Sequence, residues 1–145
     1  MLRLTGTHAR FTADAVRSWL RGLREQPDRA DWAIVRAEDG AYLGEVVLND
    51  LDPENASAGF RIALGAPSLF GRGYGTEATS AVLDRAFAQG VHRVELEVFA
   101  FNPRAQRSYE KAGFVVEGRR RHALRWDGAW VDAIVMGCLS DVESQ

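Results

Sequence analysis

Three alternating glycines, Gly71, Gly73 and Gly75, stand directly before a predicted helix and form a candidate anion site. Because glycine has no Cβ atom, such a backbone can turn tightly, approach a ligand and direct its N–H groups at an anion. The N-terminus of the following helix adds partial positive charge at the same place. The pattern therefore predicts a pyrophosphate-binding loop. The alternative is a flexible turn ahead of a helix, which glycine spacing alone does not exclude.

Two well-known phosphate motifs do not fit this loop. A Walker A loop requires a Lys-Ser/Thr pair after its last glycine, and none follows Gly75. Glu95 lies about 20 residues after Gly73, where a dinucleotide-binding fold places its ribose-binding acid. That fingerprint follows a strand directly, whereas residues 65–69 separate this loop from the preceding predicted strand. We therefore reject the dinucleotide-binding interpretation.

Tyr109 is the second candidate for chemistry. It shares a predicted helix face with Ala105 and Ala112, so its side chain should point inward. A buried phenol normally finds a partner for its hydroxyl group. Asn102 and Pro103 begin this helix as a good N-cap and a good first helical residue. On this pattern Tyr109 is either a proton donor or a core tyrosine with an ordinary hydrogen bond.

The elements that position these residues begin with strands around one early helix. Residues 1–4 form a candidate short strand, and residues 12–24 have the periodicity of an amphipathic helix. Further strands are predicted at 32–35, 42–48 and 58–64. A turn is expected at 38–40 and a polar loop at 49–57.

From Gly65 onward strands and helices alternate. Residues 76–89 are predicted to be helical, residues 92–100 form a strand, and a short helix runs from Asn102 to Gly113. A strand that starts at 114–116 turns back at Asp127 and Gly128 into a strand at 130–139. The sum is an α/β (α+β mixed) fold, with a mixed, mostly antiparallel sheet and helices on its faces. Residues 1–145 are expected to form a single domain.

Composition excludes several classes of function. The formal net charge is -2, whereas a general nucleic-acid binder usually carries a basic excess, so we expect no nucleic-acid partner. No apolar run approaches the roughly 20 residues that span a bilayer, and the N-terminal residues lack a secretory signal. We therefore expect no membrane partner and a cytoplasmic location. Cys138 is the single cysteine and the three histidines are scattered, so no metal site is expected.

The motifs together resemble the GCN5-related N-acetyltransferases, the GNAT superfamily. The likeness is carried by the loop, then by the later strand, helix and hairpin, at 70–78, 95–98, 102–105, 109–114 and 126–132. An aromatic residue at Phe70, where the family often has Gln or Arg, is similar to the branch that acetylates the N-terminal alanine of ribosomal proteins. The resemblance covers residues 58–139 well and the part before Gly40 in outline.

This resemblance implies how acetyl-CoA would bind. Two neighbouring parallel strands of such a fold splay apart, here 58–64 and 92–100, and the pantetheine arm lies between them. The pantetheine amides would meet the backbone of one strand and the side chain of Asn102, whose N-cap role is compatible. The strand residues are Ile62, Ala63 and Leu64. The pyrophosphate would meet the N–H groups of Gly71, Arg72, Gly73, Tyr74, Gly75 and Thr76.

Acetyl transfer to an amine requires a neutral amine, stabilisation of charge on the carbonyl oxygen, and a proton for the departing thiolate. The resemblance gives Tyr109 the last role, as general acid toward the CoA sulfur. Glu97 is the candidate base, because its offset from Tyr109 matches that of the proposed base in some relatives. Its alternative role is a salt bridge to Arg93 or Arg61. The other groups that could take the proton are Glu45, Glu95 and water.

The acceptor is a primary amine, and its identity stays open. A protein N-terminus, a free amino acid, a polyamine and an aminoglycoside all fit, because loops set acceptor choice on a given fold. Dimers are common among similar proteins, so a homodimer also stays open. The alternative function is a non-catalytic acyl-CoA-binding module on the same fold, against which an inward phenol near the sulfur argues.

The arginine run 119–121 has two interpretations. It could meet the 3′-phosphate of CoA or an acidic partner, or it could be a solvated strand face. Trp126 and Trp130 flank the predicted hairpin turn and are candidates for the acceptor groove or a subunit contact.

Overall fold

A computed structural model of the chain describes residues 2–4, 9–11 and 29–141. The helix predicted at 12–24 and His8 lie outside the described residues. The described helices are α1 (Tyr74–Ala88) and α2 (Pro103–Ala112), with a 3₁₀ turn at Pro67–Leu69. The strands are β1 (Leu2–Leu4), β2 (Ala9–Phe11), β3 (Ala30–Arg36), β4 (Tyr42–Asp52), β5 (Ser57–Leu64), β6 (Arg93–Phe99), β7 (Val115–Trp126) and β8 (Ala129–Leu139).

The strands form one sheet in the order β2-β1-β3-β4-β5-β6-β8-β7. Pairing is parallel between β1 and β3 and between β5 and β6, and antiparallel between the other neighbours. The predicted fold class, a mixed and mostly antiparallel sheet with helices, is confirmed. The core lies between one face of this sheet and the helices, and includes Trp32, Val46, Phe60, Val94 and Met136.

Helix α1 packs on the sheet through Ala78, Val82 and Ala86, which recur every four residues and are fully buried. The helix begins two residues earlier than the predicted position 76, because Tyr74 is itself buried in the core. Gly73 precedes it with φ +86°, a conformation that favours glycine.

Helix α2 begins and ends as the sequence predicts. The Asn102 side chain accepts a hydrogen bond from the Ala105 N–H at 3.3 Å, and Pro103 occupies the first helical position. Gly113 ends the helix with φ +112°.

Strands β5 and β6 run together only briefly before they diverge. Their parallel pairing covers Ser57 with Arg93, Ala58 with Val94, and Gly59 with Glu95. Beyond these three positions β5 stays paired with β4 as far as Leu64, and β6 stays paired with β8. The inner edges of β5 and β6 therefore open into a gap in the sheet, which we call the seam.

Strand β4 is longer than predicted, because residues 49–52 continue the strand where a loop is expected. Asn49 pairs with Gly59 and Asp52 with Ser57, across a register shift in which Asp50 takes φ +48°. Backbone pairing to β5 holds the polar residues Asn49 and Asp52 in the strand, and Leu51 between them packs against the core. Gly44 lies at the other end of this pairing, where an added Cβ would collide with the backbone of Ala63.

The β7–β8 hairpin turns at Asp127 and Gly128, as predicted, and β7 carries two register shifts. An ion pair ties this hairpin to β6. Arg93 on β6 donates to both carboxylate oxygens of Glu117 on β7, at 2.8 and 2.6 Å. The pair crosses β8 at Gly137, where a Cβ atom would strike both side chains.

Candidate active site

A cavity of about 370 Å³ opens beside the seam. Its walls are the free edge of β5, the glycine loop before α1, and one side of α2. The cavity brings together nine of the residues predicted to bind cofactor or donate a proton. They are Ile62, Ala63, Leu64, Gly71, Gly73, Gly75, Thr76, Asn102 and Tyr109.

The glycine loop leaves open space on the cavity side. Gly71 and Gly73 have φ +75° and +86°, and a Cβ added to either would meet nothing within 4 Å. The loop is fastened to α2 by a hydrogen bond between the hydroxyls of Thr76 and Ser108, 2.9 Å apart. Glycine is therefore required here by the backbone conformation, and the adjoining space is free for a ligand.

The side chains of Arg72 and Tyr74 turn away from this space. Arg72 Nε donates to the Ser68 carbonyl oxygen at 2.9 Å. Tyr74 is buried, and its hydroxyl accepts a hydrogen bond from Arg36 Nη1 at 3.3 Å. Any contact that these two loop residues make with a phosphate would therefore come from the backbone N–H groups.

Tyr109 projects from α2 into the protein and lines the cavity. Its ring packs edge-on against Phe60 and Phe114, with centroids 6.2 and 5.9 Å apart. Burial raises the pKa of the phenol above its usual value of 10.0. Among the described residues its hydroxyl has no hydrogen-bond partner. The phenol is therefore held protonated, with a proton that a ligand in the cavity could accept.

Glu97 lies on the other face of the sheet. Strand alternation places it opposite Val94, Leu96 and Val98, which join the core cluster with Tyr109. Its carboxylate accepts a hydrogen bond from Arg120 Nη1 at 2.5 Å, and the side chain is 42% exposed. The structure therefore does not bring Glu97 and Tyr109 into one pocket wall.

The salt-bridge partners expected for Glu97 were wrong. Arg93 is engaged by Glu117 and, more weakly at 3.4 Å, by Glu95. Arg120 on β7 instead reaches across β8 to pair with Glu97 on β6. Arg119 in the same run pairs with Asp132 at 2.7 Å. Two of the three arginines thus serve ion pairs on the sheet.

The cationic side of the cavity was not predicted from the sequence. Arg104, Arg107 and Lys111 line it from α2. Their spacing of three and four residues places them along one side of a helix, which is the signal that was available. That spacing is also typical of any solvated helix face, so it becomes informative only once the glycine loop is seen opposite.

Within the described ranges, no group of three or more His, Cys, Asp or Glu side chains is arranged to hold a metal ion. The helices in the described part of the chain are too short or too polar to cross a membrane.

A family model described as an acetyltransferase (GNAT) domain matches residues 2–115. The chain belongs to the GNAT family. It is 29% identical over 132 residues to the uncharacterized N-acetyltransferase YokL of Bacillus subtilis, covering 90% of this chain and 72% of the relative. It is 35% identical over 100 residues to the spermidine N(1)-acetyltransferase of Vibrio cholerae, covering 68% and 57% respectively.

The solved structures agree with this assignment. The Vibrio cholerae spermidine N-acetyltransferase in complex with CoA and spermine superimposes with a TM-score of 0.73. The two sequences are 25% identical, and the match covers 90% of this chain and 76% of that one. This GNAT protein is accordingly an N-acetyltransferase that uses acetyl-CoA as co-substrate and transfers the acetyl group to an amine.

Proposed function

We propose that acetyl-CoA lies in the cavity beside the seam, with its pantetheine arm along β5 and its pyrophosphate at the glycine loop. The divergence of β5 and β6 after Gly59 and Glu95 carries the proposal, because it leaves a strand edge unpaired beside the cavity. Residues 62–64 offer backbone groups to the pantetheine amides. The N–H groups of residues 71–76 offer a cradle to the pyrophosphate.

The same geometry supports a direct transfer. The neutral amine nitrogen attacks the thioester carbonyl carbon, the carbon–sulfur bond breaks, and Tyr109 gives its proton to the departing sulfur. The attacking nitrogen loses one proton to a base, which releases it to solvent, and the Tyr109 phenolate takes up one proton from solvent to restore the phenol. A buried phenol with a raised pKa suits this step, because it keeps its proton until the thiolate forms.

Glu97 is proposed as that base, acting from the face of the sheet that carries the acceptor. Its ion pair with Arg120 holds the carboxylate on this face, next to the seam. Glu45 on β4 is exposed on the same face and is the neighbouring candidate. Carboxylates here would also attract a cationic amine before its deprotonation.

The acceptor is proposed to be a primary amine of a polyamine or of a protein N-terminus. The spermidine N(1)-acetyltransferase relative supports the first. The likeness of the 70–78 loop to the branch acting on the N-terminal alanine of ribosomal proteins supports the second. Deprotonation at pH 7 costs about 1 kcal/mol for an α-amino group and about 4.6 kcal/mol for an alkylamine with a pKa near 10.4. A polyamine acceptor therefore needs the base more.

Binding of acetyl-CoA and of desulfo-CoA, measured by calorimetry, tests the cofactor site. Gly73→Trp should fill the open space beside the loop. It should lower the affinity for both ligands by at least about tenfold, equal to 1.4 kcal/mol. Gly90→Trp is the matched control, because Gly90 also has a positive φ (+100°) with nothing within 4 Å and lies beyond the far end of α1. Equal effects of the two variants, or no binding to the wild type, would contradict the proposal.

A pair of variants tests the base. If Glu97 takes the proton, Glu97→Gln lowers kcat for spermidine by about 10²-fold, while Arg120→Gln retains the Glu97 carboxylate as a base and changes kcat much less. If the ion pair is only structural, both variants should lower the melting temperature by similar amounts, and both should keep a similar kcat. The same assay with an alanine-starting peptide compares the two acceptors.

The protein is also proposed to form a homodimer through the β7–β8 hairpin. Trp126 and Trp130 on the β7–β8 hairpin are 60% and 55% exposed, and large apolar side chains of this kind are common at subunit contacts. Light scattering of the wild type and of Trp126→Ser/Trp130→Ser measures whether a dimer forms and whether it depends on this hairpin.

A further inference from the structure

Helix α2 presents three cations to the cavity, and we call them the basic stripe: Arg104, Arg107 and Lys111. All three side chains are exposed, and they line the cavity from one side of the helix. At 1.5 Å of rise per residue, the stripe is about 10 Å long. The helix contacts both ends of the glycine loop, since Arg104 lies over Phe70 and Ser108 bonds to Thr76.

The basic stripe lacks anionic partners within the protein. In the described part of the chain, none of its three residues takes part in an ion pair, whereas Arg36, Arg93, Arg119 and Arg120 each pair with a carboxylate. Glu110, the acidic residue of α2, is exposed and does not line the cavity. Among the described residues that line the cavity, none is acidic. The cavity therefore carries uncompensated positive charge.

Arg104 is held in place at the loop. Its guanidinium lies 4.6 Å from the ring centroid of Phe70, the residue that opens the glycine loop. The loop itself offers neutral N–H groups, and the Arg72 side chain is occupied by the Ser68 carbonyl. The positive charge of the cavity thus comes from α2, and the ligand group that it meets should be the most highly charged one.

We propose that the basic stripe binds the 3′-phosphate on the ribose of CoA and selects CoA over 3′-dephospho-CoA. This inference rests on the proposed placement of acetyl-CoA in the same cavity. A phosphate monoester carries a charge of about −1.5 to −2 at pH 7 and forms its strongest contacts with guanidinium and ammonium groups. The pyrophosphate is met by the loop, so the monoester is the remaining group that calls for several cations. The stripe takes the role first considered for the arginine run 119–121.

Calorimetry with acetyl-CoA and acetyl-3′-dephospho-CoA tests this assignment. The wild type should prefer acetyl-CoA by at least about tenfold, equal to 1.4 kcal/mol. In the triple variant Arg104→Gln/Arg107→Gln/Lys111→Gln, affinity for acetyl-CoA should fall until the two ligands bind within about twofold of each other, with affinity for the dephospho ligand unchanged. Because the three side chains are exposed, the variant should keep the wild-type melting temperature.

Single variants distinguish binding at the basic stripe from a general effect of the protein's positive charge. Arg107→Gln should lose part of the preference, and Arg107→Lys should restore most of it. Arg121→Gln removes the same charge from exposed β7 and should keep the full preference. An unchanged preference in the triple variant, or no preference in the wild type, overturns the inference while acetyl-CoA binding still stands. If the wild type binds neither ligand, the inference and the proposed function fail together.

Discussion

Tyr109 combines two properties that a proton donor to a thiolate needs. Its ring is fixed between Phe60 and Phe114, and burial raises the pKa of its hydroxyl above 10.0. An alkylamine acceptor becomes a nucleophile as the pH approaches about 10.4, where an ordinary tyrosine would already be losing its proton. With Tyr109 in the proposed role of acid, the raised pKa would allow a neutral alkylamine and a protonated phenol to be present at the same pH.

Replacing Tyr109 by Phe should lower kcat by about 10²-fold or more, because the departing thiolate then lacks its proton donor. Affinity for acetyl-CoA should change less than about twofold. In the wild type, kcat should keep rising with pH up to about 10, since the phenol stays protonated. Steady-state kinetics from pH 7 to 10 measure both effects. Tyr42→Phe, which changes an exposed tyrosine on β4, is the control. A Tyr109→Phe enzyme with wild-type kcat would exclude Tyr109 as the proton donor.

The inward position of Tyr109 could be predicted from the sequence, whereas the ion-pair partner of Glu97 could not. The inward position of Tyr109 follows from the alanines on its helix face, Ala105 and Ala112, because local periodicity decides it. The partner of Glu97 does not follow, because it depends on how β6 pairs with β8 and β8 with β7. Pairing between strands that are far apart in the sequence leaves no local periodic signal.

Asn102 caps α2 and lines the cavity, so substitution can separate its cap from its proposed contact with the pantetheine arm. Asn102→Ala removes the cap on the Ala105 N–H and should destabilise the protein by about 1 kcal/mol. Asn102→Asp keeps an accepting oxygen for the cap but loses the amide donor. It should therefore keep the melting temperature and raise KM for acetyl-CoA. Thermal melts and steady-state kinetics of the two variants test this. If KM for acetyl-CoA rises only in the variant whose melting temperature falls, Asn102 acts as a cap alone.

Gly44 keeps β4 close to the strand that forms the cavity wall. A Cβ at this position would collide with the backbone of Ala63 and Leu64, so Gly44→Ala must push β4 and β5 apart. Overpacking of this kind costs about 1–3 kcal/mol, and the displaced strand should also bind acetyl-CoA more weakly. Gly118→Ala on exposed β7 meets nothing within 4 Å and is the control. Thermal melts and calorimetry measure both effects. Equal melting temperatures and equal affinities for acetyl-CoA in the Gly44→Ala and Gly118→Ala variants would contradict the expectation.

At the element scale, the sequence predicts most boundaries because turn and cap residues mark them. Asn102 and Gly113 bound α2, and Asp127 with Gly128 forms the hairpin turn. The extension of β4 to Asp52 escaped prediction, because its polar residues are held by backbone pairing. The divergence of β5 and β6 was expected only from the family resemblance, because no local sequence pattern encodes where two distant strands separate.

Acid should loosen the sheet half that contains the β7–β8 hairpin. Arg93 lowers the pKa of Glu117 below its ordinary 4.5, and Arg119 together with the His122 N–H lowers that of Asp132 below 3.8. Groups with lowered folded pKa values contribute stability above their ordinary values and lose it as the pH falls through the lowered ones. The melting temperature should therefore be level from pH 7 to about 5 and fall below pH 4.5.

Glu117→Gln identifies the source of this acid sensitivity. The variant should melt below the wild type at pH 7, and the difference should shrink as the pH falls below 4.5. Glu54→Gln, in the exposed turn between β4 and β5, should follow the wild type at every pH. A difference between wild type and Glu117→Gln that persists at pH 3 would show that the pair does not control the response.

The seam divides the sheet into two blocks, strands β2 to β5 on one side and β6 to β8 on the other, joined by three backbone-paired positions. A ligand lying along the seam would act as a cross-link between them, so occupancy and cooperativity of unfolding would be coupled. At a hundred times its dissociation constant, acetyl-CoA would add about 2.7 kcal/mol to stability. Amide hydrogen exchange should then slow on both sides of the seam at once, including at Ile62 on β5 and Val98 on β6.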